Sequence, residues 1–230
     1  ADDATYSTHR FPSALNPAVG AAEIAAARRA MPAWLFQQEF LAEFVDTGDA
    51  VFPAAEVDAI VDDALPVGTP YDPARTYVDG WDLAKHIDWT VGITLDTTET
   101  PATLVAFDRF QRVPWPVVDQ RIAERQAAYG STVWIDSTGV GDVTLDHSQV
   151  PSGRMNGFRF TARSKTELLV NLQAMIEKRQ VRIPPIGQLV AELKNYRWED
   201  KAIPETDSVM ALALAAWGVA SRKEVSIRWV

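Results

Sequence analysis

Three aspartates carry the chemistry this chain could do: Asp82, Asp136 and Asp207. Each stands where a regular pattern ends or begins. Asp82 closes a strand-like run that starts at Tyr77, Asp136 closes the run Thr132-Val133-Trp134-Ile135-Asp136, and Asp207 opens a long apolar helix. Carboxylates drawn from separate elements make an all-oxygen site suited to Mg²⁺ or Mn²⁺. Two such ions about 4 Å apart clamp the attacking and leaving oxygens of a phosphodiester displacement. Without a cation, clustered carboxylates repel and raise one another's pKa. Each acid also has a plainer role open to it. Asp82 could cap the turn before Lys85, Asp136 could cap the loop at Gly139, and Asp207 at a helix start could simply favour the dipole. Taken together, in this strand and helix context, the metal reading is favoured.

The elements that must position these acids follow from periodicity. Asp207, Met210, Ala211, Leu214 and Gly218 form one helical stripe that is apolar except for its first member. A carboxylate at the head of such a stripe is costly to bury unless it meets a cation or a donor. Strands are expected over 77–84, 88–97 and 102–113, an antiparallel meander, then over 132–136 and 156–161. Helices are expected over 21–30, 33–44, 54–64, 114–129, 164–179 and 206–220. Pro116 near the start of the fourth and Gly130 at its end suit their positions. Ser164 with Glu167 reads as a capping box for the fifth. The stretches 181–185 and 188–198 read as strand-like or hairpin-like. Together these predict an α/β fold, a mixed sheet flanked by helices, in an order compatible with the ribonuclease H-like architecture. Sites in open α/β sheets form beyond the carboxyl ends of strands. If the strands ending at Asp82 and Asp136 are neighbours, both acids enter one crevice and the Asp207 helix closes it.

A helical lead-in precedes this body. The Gly/Pro-rich run 66–75 marks the expected boundary, which gives a helical segment over 1–70 and a body over 71–230. The chain starts at Ala1 without an initiator Met, as a processed or excised fragment would. No signal peptide is visible, and no apolar run approaches the roughly 20 residues needed to span a bilayer. The absence of cysteine excludes disulfides, thiol catalysis and thiolate zinc sites. His9, His86 and His147 lie too far apart in sequence to suggest a histidine metal site. A formal charge of −9 argues against a generic nucleic-acid-coating protein. It does not argue against an enzyme holding divalent ions on carboxylates, because the ions invert the local charge.

At these residues the chain resembles a known family, the nuclease domain of the large terminase subunit of tailed double-stranded DNA bacteriophages. The matching segments are Gly80-Trp81-Asp82-Leu83-Ala84 with Asp88-Trp89-Thr90, Ile135-Asp136-Ser137-Thr138-Gly139-Val140-Gly141, and Gly157-Phe158-Arg159-Phe160-Thr161 with Ser164-Lys165. Asp207-Ser208-Val209-Met210-Ala211-Leu212-Ala213-Leu214-Ala215 comes last. The lead-in resembles the segment that joins the packaging ATPase to the nuclease, through Asn16-Pro17, Arg28-Arg29 and Phe36-Gln37-Gln38-Glu39-Phe40-Leu41-Ala42-Glu43-Phe44. The resemblance implies a two-metal endonuclease that cuts concatemeric phage DNA during packaging, with Asp82, Asp136 and Asp207 as the metal-binding acids and Mg²⁺ or Mn²⁺ as cofactor. It implies double-stranded DNA, the portal protein and the small terminase subunit as partners of the full-length protein. The implied location is the cytoplasm of the infected bacterial host, transiently at the procapsid portal. One departure is visible: the family commonly has His-Asp-Asp before the apolar run, and this chain has Glu205-Thr206-Asp207. No phosphate-loop motif is present in this chain, and the resemblance implies an ATPase domain N-terminal to this segment in the full protein.

Arg154, Arg159 and Arg163 recur within ten residues near the expected crevice and are candidates for DNA-backbone contacts, with Lys165 beside them. Ordinary surface charge is the alternative. Asp88 could hold a metal-bound water, Asp142 reads as a loop acid, and His86 reads as a surface histidine. Trp34, Phe36 and Phe40 are candidates for burial or for packing on the absent ATPase. Two other functions compete: a ribonuclease H-like resolvase or integrase, and a non-catalytic module that docks on the portal or the small terminase.

Overall fold

The computed structural model describes residues 9–43, 50–83, 89–138, 148–198 and 206–227, with side chains of the last helix described to residue 222. Phe44, His86, Asp88, Gly139, Asp142 and Glu205 lie outside the described residues. Contacts divide the chain into two compact units, Ala1–Gly48 and Asp49–Val230.

In the first unit, α1 (Ala21–Ala30) carries Glu23 in its first turn and Arg28 and Arg29 in its last, as the helix dipole favours. Pro32 caps α2 (Ala33–Leu41), which ends at Ala42 in the left-handed conformation, φ 52°. Of its aromatics only Phe36 is buried; it stacks on Phe40 at 5.1 Å and carries the Arg28 guanidinium 4.7 Å from its ring centroid.

The second unit is built on one six-stranded sheet: β1 (Tyr77–Asp82), β2 (Thr90–Asp96), β3 (Ala102–Phe110), β4 (Thr132–Asp136), β5 (Met155–Phe158) and β6 (Val181–Arg182). The spatial order is β5-β4-β1-β2-β3-β6. β1, β2 and β3 form the expected antiparallel meander, while β4 and β5 add in parallel beside β1. With helices on both faces this is the ribonuclease H-like mixed sheet that the sequence predicts. Helix α4 (Trp115–Tyr129) ends on Gly130 at φ 58°. It buries Val118 and Ile122 against Trp81, Val133 and Ile135 on one face. The opposite face carries the larger core, built with α5 (Ala162–Glu177), α6 (Gly187–Asn195) and α7 (Asp207–Ile227).

Several details differ from the sequence reading. Residues 188–198 are not a hairpin: most of them lie in α6, whose Leu189 and Leu193, four apart, are buried on one helical side. The helix expected over 54–64 is only α3 (Ala54–Asp58), because Val61 is drawn into a parallel bridge with Ile183. Val51, Phe52, Val57 and Ile60 are buried in the larger core, so residues from 50 onward pack with the body. The cap of α5 is Thr161 rather than Ser164. Thr161 Oγ1 accepts from the Ser164 N–H at 3.1 Å, and Ser164 Oγ accepts from the Thr161 N–H at 2.8 Å. Glu167 pairs instead with Arg163, one turn away, at 2.8 Å.

Candidate active site

Strand pleat and register decide where the first two acids point. β1 and β4 pair Gly80 with Trp134 and Trp81 with Ile135. One rung further, the same register sets Asp82 beside Asp136, on strands about 4.8 Å apart. Alternate residues of a strand face the same side. A Cβ on Gly80 would lie 2.2 Å from the Ala211 carbonyl oxygen of α7, so Gly80 faces that helix and Asp82 does too. Trp134 lies against Gly218 of α7, and Asp136, two residues on, shares its side.

Helix α7 then carries the third acid to nearly the same height. Gly218 meets Val78, and Ala211 and Ala215 straddle Gly80, so the helix runs antiparallel to β1. Counted from Ala213, midway between Ala211 and Ala215, Asp207 lies six residues back, a rise of about 9 Å. From Gly80 on to Asp82 is about 6.6 Å of strand. Asp207 therefore begins α7 within about one strand residue, roughly 3 Å, of the height of the Asp82–Asp136 pair, and on the stripe that meets the sheet. All three acids are half-buried. Asp136 Oδ1 accepts from the Thr138 N–H at 2.7 Å, which fixes the chain as it leaves the strand. Thr138 Oγ1 in turn accepts from the Phe160 N–H at 2.8 Å.

Among the described residues, no group of three or more His, Asp or Glu side chains is placed to hold a metal ion. The structure brings Asp82 and Asp136 together and carries Asp207 to their face and near their height, without closing the three into one cage. The donor chemistry still fits Mg²⁺, which keeps several waters and is usually held by one or two carboxylates plus substrate phosphates.

The candidate cations separate. Arg159 follows Phe158, the partner of Asp136, and Arg163 and Lys165 lie in the first turn of α5 just beyond; all three are exposed at the acids' end of the sheet. Arg163 is engaged with Glu167. Arg154 is at the other end: its carbonyl accepts from the Val133 N–H and its guanidinium reaches the Gly130 carbonyl at 3.3 Å. Three residues of strand, about 10 Å, separate that level from Asp136.

Two residues escaped the sequence reading. Val91 pairs with Asp82 on one side and with Arg109 on the other. Arg109 thus shares the rung and the face of the acids, two strands from Asp82. Its guanidinium carbon sits 3.6 Å from the centroid of the Trp89 ring. The available signal was its parity with Phe107, a basic residue at a strand end on the core-facing side. The second is Glu192 of α6, 5% exposed. Its Oε2 accepts from the N–H groups of Ser208 and Val209 at 2.8 and 3.3 Å, and its Oε1 from the Ser208 hydroxyl at 2.9 Å. An acid beside Leu189 and Leu193 on an apolar helical side would have marked it, had the segment been read as a helix.

The most perturbed acid lies elsewhere. Asp79, fully buried in β1, faces α4, the other side of the sheet from Asp82. Burial pushes its carboxyl up to about 6, against the opposing pull of the Ser131 hydroxyl, 2.6 Å from Oδ2, the Thr94 hydroxyl and the Arg125 guanidinium. An acid whose folded pKa is raised favours the folded state most when protonated. Its contribution is complete below the unfolded value near 4 and is lost as pH rises through about 6. A shift of about two units corresponds to roughly 3 kcal/mol. Asp79→Asn is expected to flatten this loss and to raise stability at pH 8, read by urea denaturation at stepped pH. A variant with the wild-type slope would assign the pH dependence to other groups.

No family model matches the chain. Over 200 residues, 78% of this chain, it is 29% identical to the terminase large subunit of Thermus virus P23-45, and the match covers 40% of that relative. In fold it is similar to the crystal structure of the large terminase nuclease from thermophilic phage G20c with bound magnesium. The TM-score is 0.65 at 25% identity, covering 75% of this chain and 98% of that one. The same nuclease with bound zinc matches with a TM-score of 0.61 at 26% identity, covering 72% of this chain and 96% of that one. The chain is therefore similar in sequence to a phage large terminase subunit and in fold to phage large terminase nucleases, and it spans less than half the length of the curated relative it matches.

Proposed function

We propose that this chain is a divalent-metal-dependent endodeoxyribonuclease that cuts concatemeric double-stranded phage DNA during genome packaging. The observation that carries the proposal is the parallel register of β1 and β4, which ends with Trp81 beside Ile135 and so sets Asp82 and Asp136 at adjacent strand ends, on the face where α7 begins with Asp207. Asp82 and Asp136 hold the cation, and Asp207 supports it from the helix. Bound there, Mg²⁺ or Mn²⁺, as one ion or two, supplies the Lewis acid and the activated water for phosphodiester hydrolysis. The Thr138 N–H holds Asp136 in place.

Duplex DNA is held by its backbone, through Arg109 across the rung and through Arg159 and Lys165 beyond β5, with Arg163 beside them. Arg154, at the far end of β4, is left out of this contact. Arg109→Gln is expected to weaken duplex binding uniformly across sequences and to reduce the slope of log affinity against log salt by about one. Fluorescence anisotropy in EDTA measures this, and an unchanged slope would remove Arg109 from the contact.

The helical segment before the body is proposed to lead from an ATPase domain. The full-length protein then meets the portal and the small terminase in the host cytoplasm. Among the described residues, no helix is long and apolar enough to cross a membrane. The test is cleavage of plasmid DNA with Mg²⁺ or Mn²⁺ against EDTA. Metal-dependent cutting that the Asp136→Asn change abolishes supports the nuclease. Absence of cutting with any metal, with binding to the portal, supports a docking module. Preference for four-way junctions supports a resolvase.

A further inference from the structure

The N-terminus of α7 is held by a carboxylate from another helix. The first N–H groups of a helix have no partner within it. Here Ser208 and Val209 give theirs to Glu192 Oε2, the Ser208 hydroxyl donates to Oε1, and the Gln188 amide donates to Oε1 at 2.9 Å. A buried carboxylate is costly unless fully hydrogen-bonded. Glu192 meets four donors and the positive end of the helix dipole, so its burial is compensated. Ser208 is the residue next to Asp207, about 100° further round the helix. Glu192 therefore grips the side of the turn, while Asp207 stays on the stripe that meets the sheet.

Gly80 and Gly218 set how closely the middle of α7 approaches β1. They do not set the conformation of its first turn, which is the part that presents Asp207. That turn frays unless its N–H groups are satisfied. Glu192 also ties it to α6, whose Leu189 and Leu193 are anchored in the larger core.

We infer that Glu192 is a positioning residue for Asp207, and that by fixing the first turn of α7 it sets the affinity of the carboxylate site for a divalent cation. The inference rests on the proposed metal site. An ordinary helix cap would affect stability alone. A positioning role also affects metal affinity, and only through Asp207.

The experiment is Mn²⁺ binding to the whole chain, followed by electron paramagnetic resonance into the millimolar range. Far-UV circular dichroism and melting in EDTA run beside it. Glu192→Gln is expected to lower Mn²⁺ affinity about 10- to 100-fold, as supporting hydrogen-bond partners of metal ligands typically do. The helical spectrum is expected to stay while the melting temperature falls. In an Asp207→Asn background the same change is expected to have no further effect on affinity, the non-additivity of coupled neighbours. Wild-type affinity in Glu192→Gln overturns the inference, as does an equal loss in the Asp207→Asn background. Should Glu192→Gln not fold, Ser208→Ala removes one of the bonds, and the same cycle is run with a few-fold expected loss. Asp136→Asn is the separate control: if it binds Mn²⁺ as tightly as wild type, the metal site itself is misplaced and the inference falls with it.

Discussion

Replacing Asp136 by Asn is expected to lower metal-dependent cleavage of duplex DNA by on the order of 10³-fold, about 4 kcal/mol of transition-state stabilisation. The fold should survive the change. Asn has the size of Asp, and its amide oxygen keeps the bond from the Thr138 N–H that shapes the exit from β4. What is lost is the charge. With Asp82 alone on that rung, a cation would be held by one strand-end carboxylate instead of two, and water would take the vacated position at a cost in affinity. Asp79→Asn is the informative control. It removes an acid from the same sheet, three residues from Asp82, but on the face turned towards α4. It should leave cleavage unchanged while altering the pH dependence of stability. Supercoiled plasmid followed on gels over a range of Mn²⁺ gives both rates. Equal cutting by wild type and Asp136→Asn would exclude this pair as the site.

Gly80→Ala is expected to be strongly destabilising, at about 3 kcal/mol. Overpacking a core usually costs about 1–3 kcal/mol, because side chains shift to make room. Here the new Cβ would meet backbone: the Ala211 carbonyl oxygen at 2.2 Å and the Ala215 nitrogen at 2.4 Å. Neither can rotate away, so α7 as a whole must lift from β1. Gly218→Ala is the milder comparison. Its Cβ would meet the Val78 and Trp134 side chains at 2.6 Å, and those have some freedom to move. A cost of about 1–2 kcal/mol is expected there. Urea denaturation ranks the two variants. Lifting α7 also moves Asp207 from the pair, so Gly80→Ala should bind Mn²⁺ more weakly even where it remains folded. A Gly80→Ala cost below about 1 kcal/mol, or one smaller than that of Gly218→Ala, would contradict the close approach.

Local patterns were legible where one face of an element is buried and the other is not. The meander β1–β3, the helix ending at Gly130 and the helix opening at Asp207 all follow from spacing that a linear reading can see. The strand-like or hairpin-like stretch expected over 188–198 shows the limit. A short segment with Leu189, Val190 and Leu193 fits a strand or a helix, and packing beneath α7 selects the helix. The same misreading hid Glu192, whose meaning depends on facing the end of another helix. Arg109 was hidden for a related reason. Its rung with Val91 and Asp82 is a property of three strands in register, and no single strand displays it.

By itself, then, the sequence determined the kinds of donor available: oxygen ligands without thiols, an acid at the end of each of two strands, and an acid at the head of an apolar helix. Those are consequences of residue type and of periods of 2 and 3.6, which are local. The tertiary structure decided which acids become neighbours and which cations share their end of the sheet. Parallel pairing of β4 with β1 placed Asp136 beside Asp82 and sent Arg154 to the opposite end. The missing side chain at Gly80 let α7 approach closely enough to bring Asp207 near their height. Register and close approach are relations between segments more than 50 residues apart, set by burial and backbone hydrogen bonding across the whole sheet.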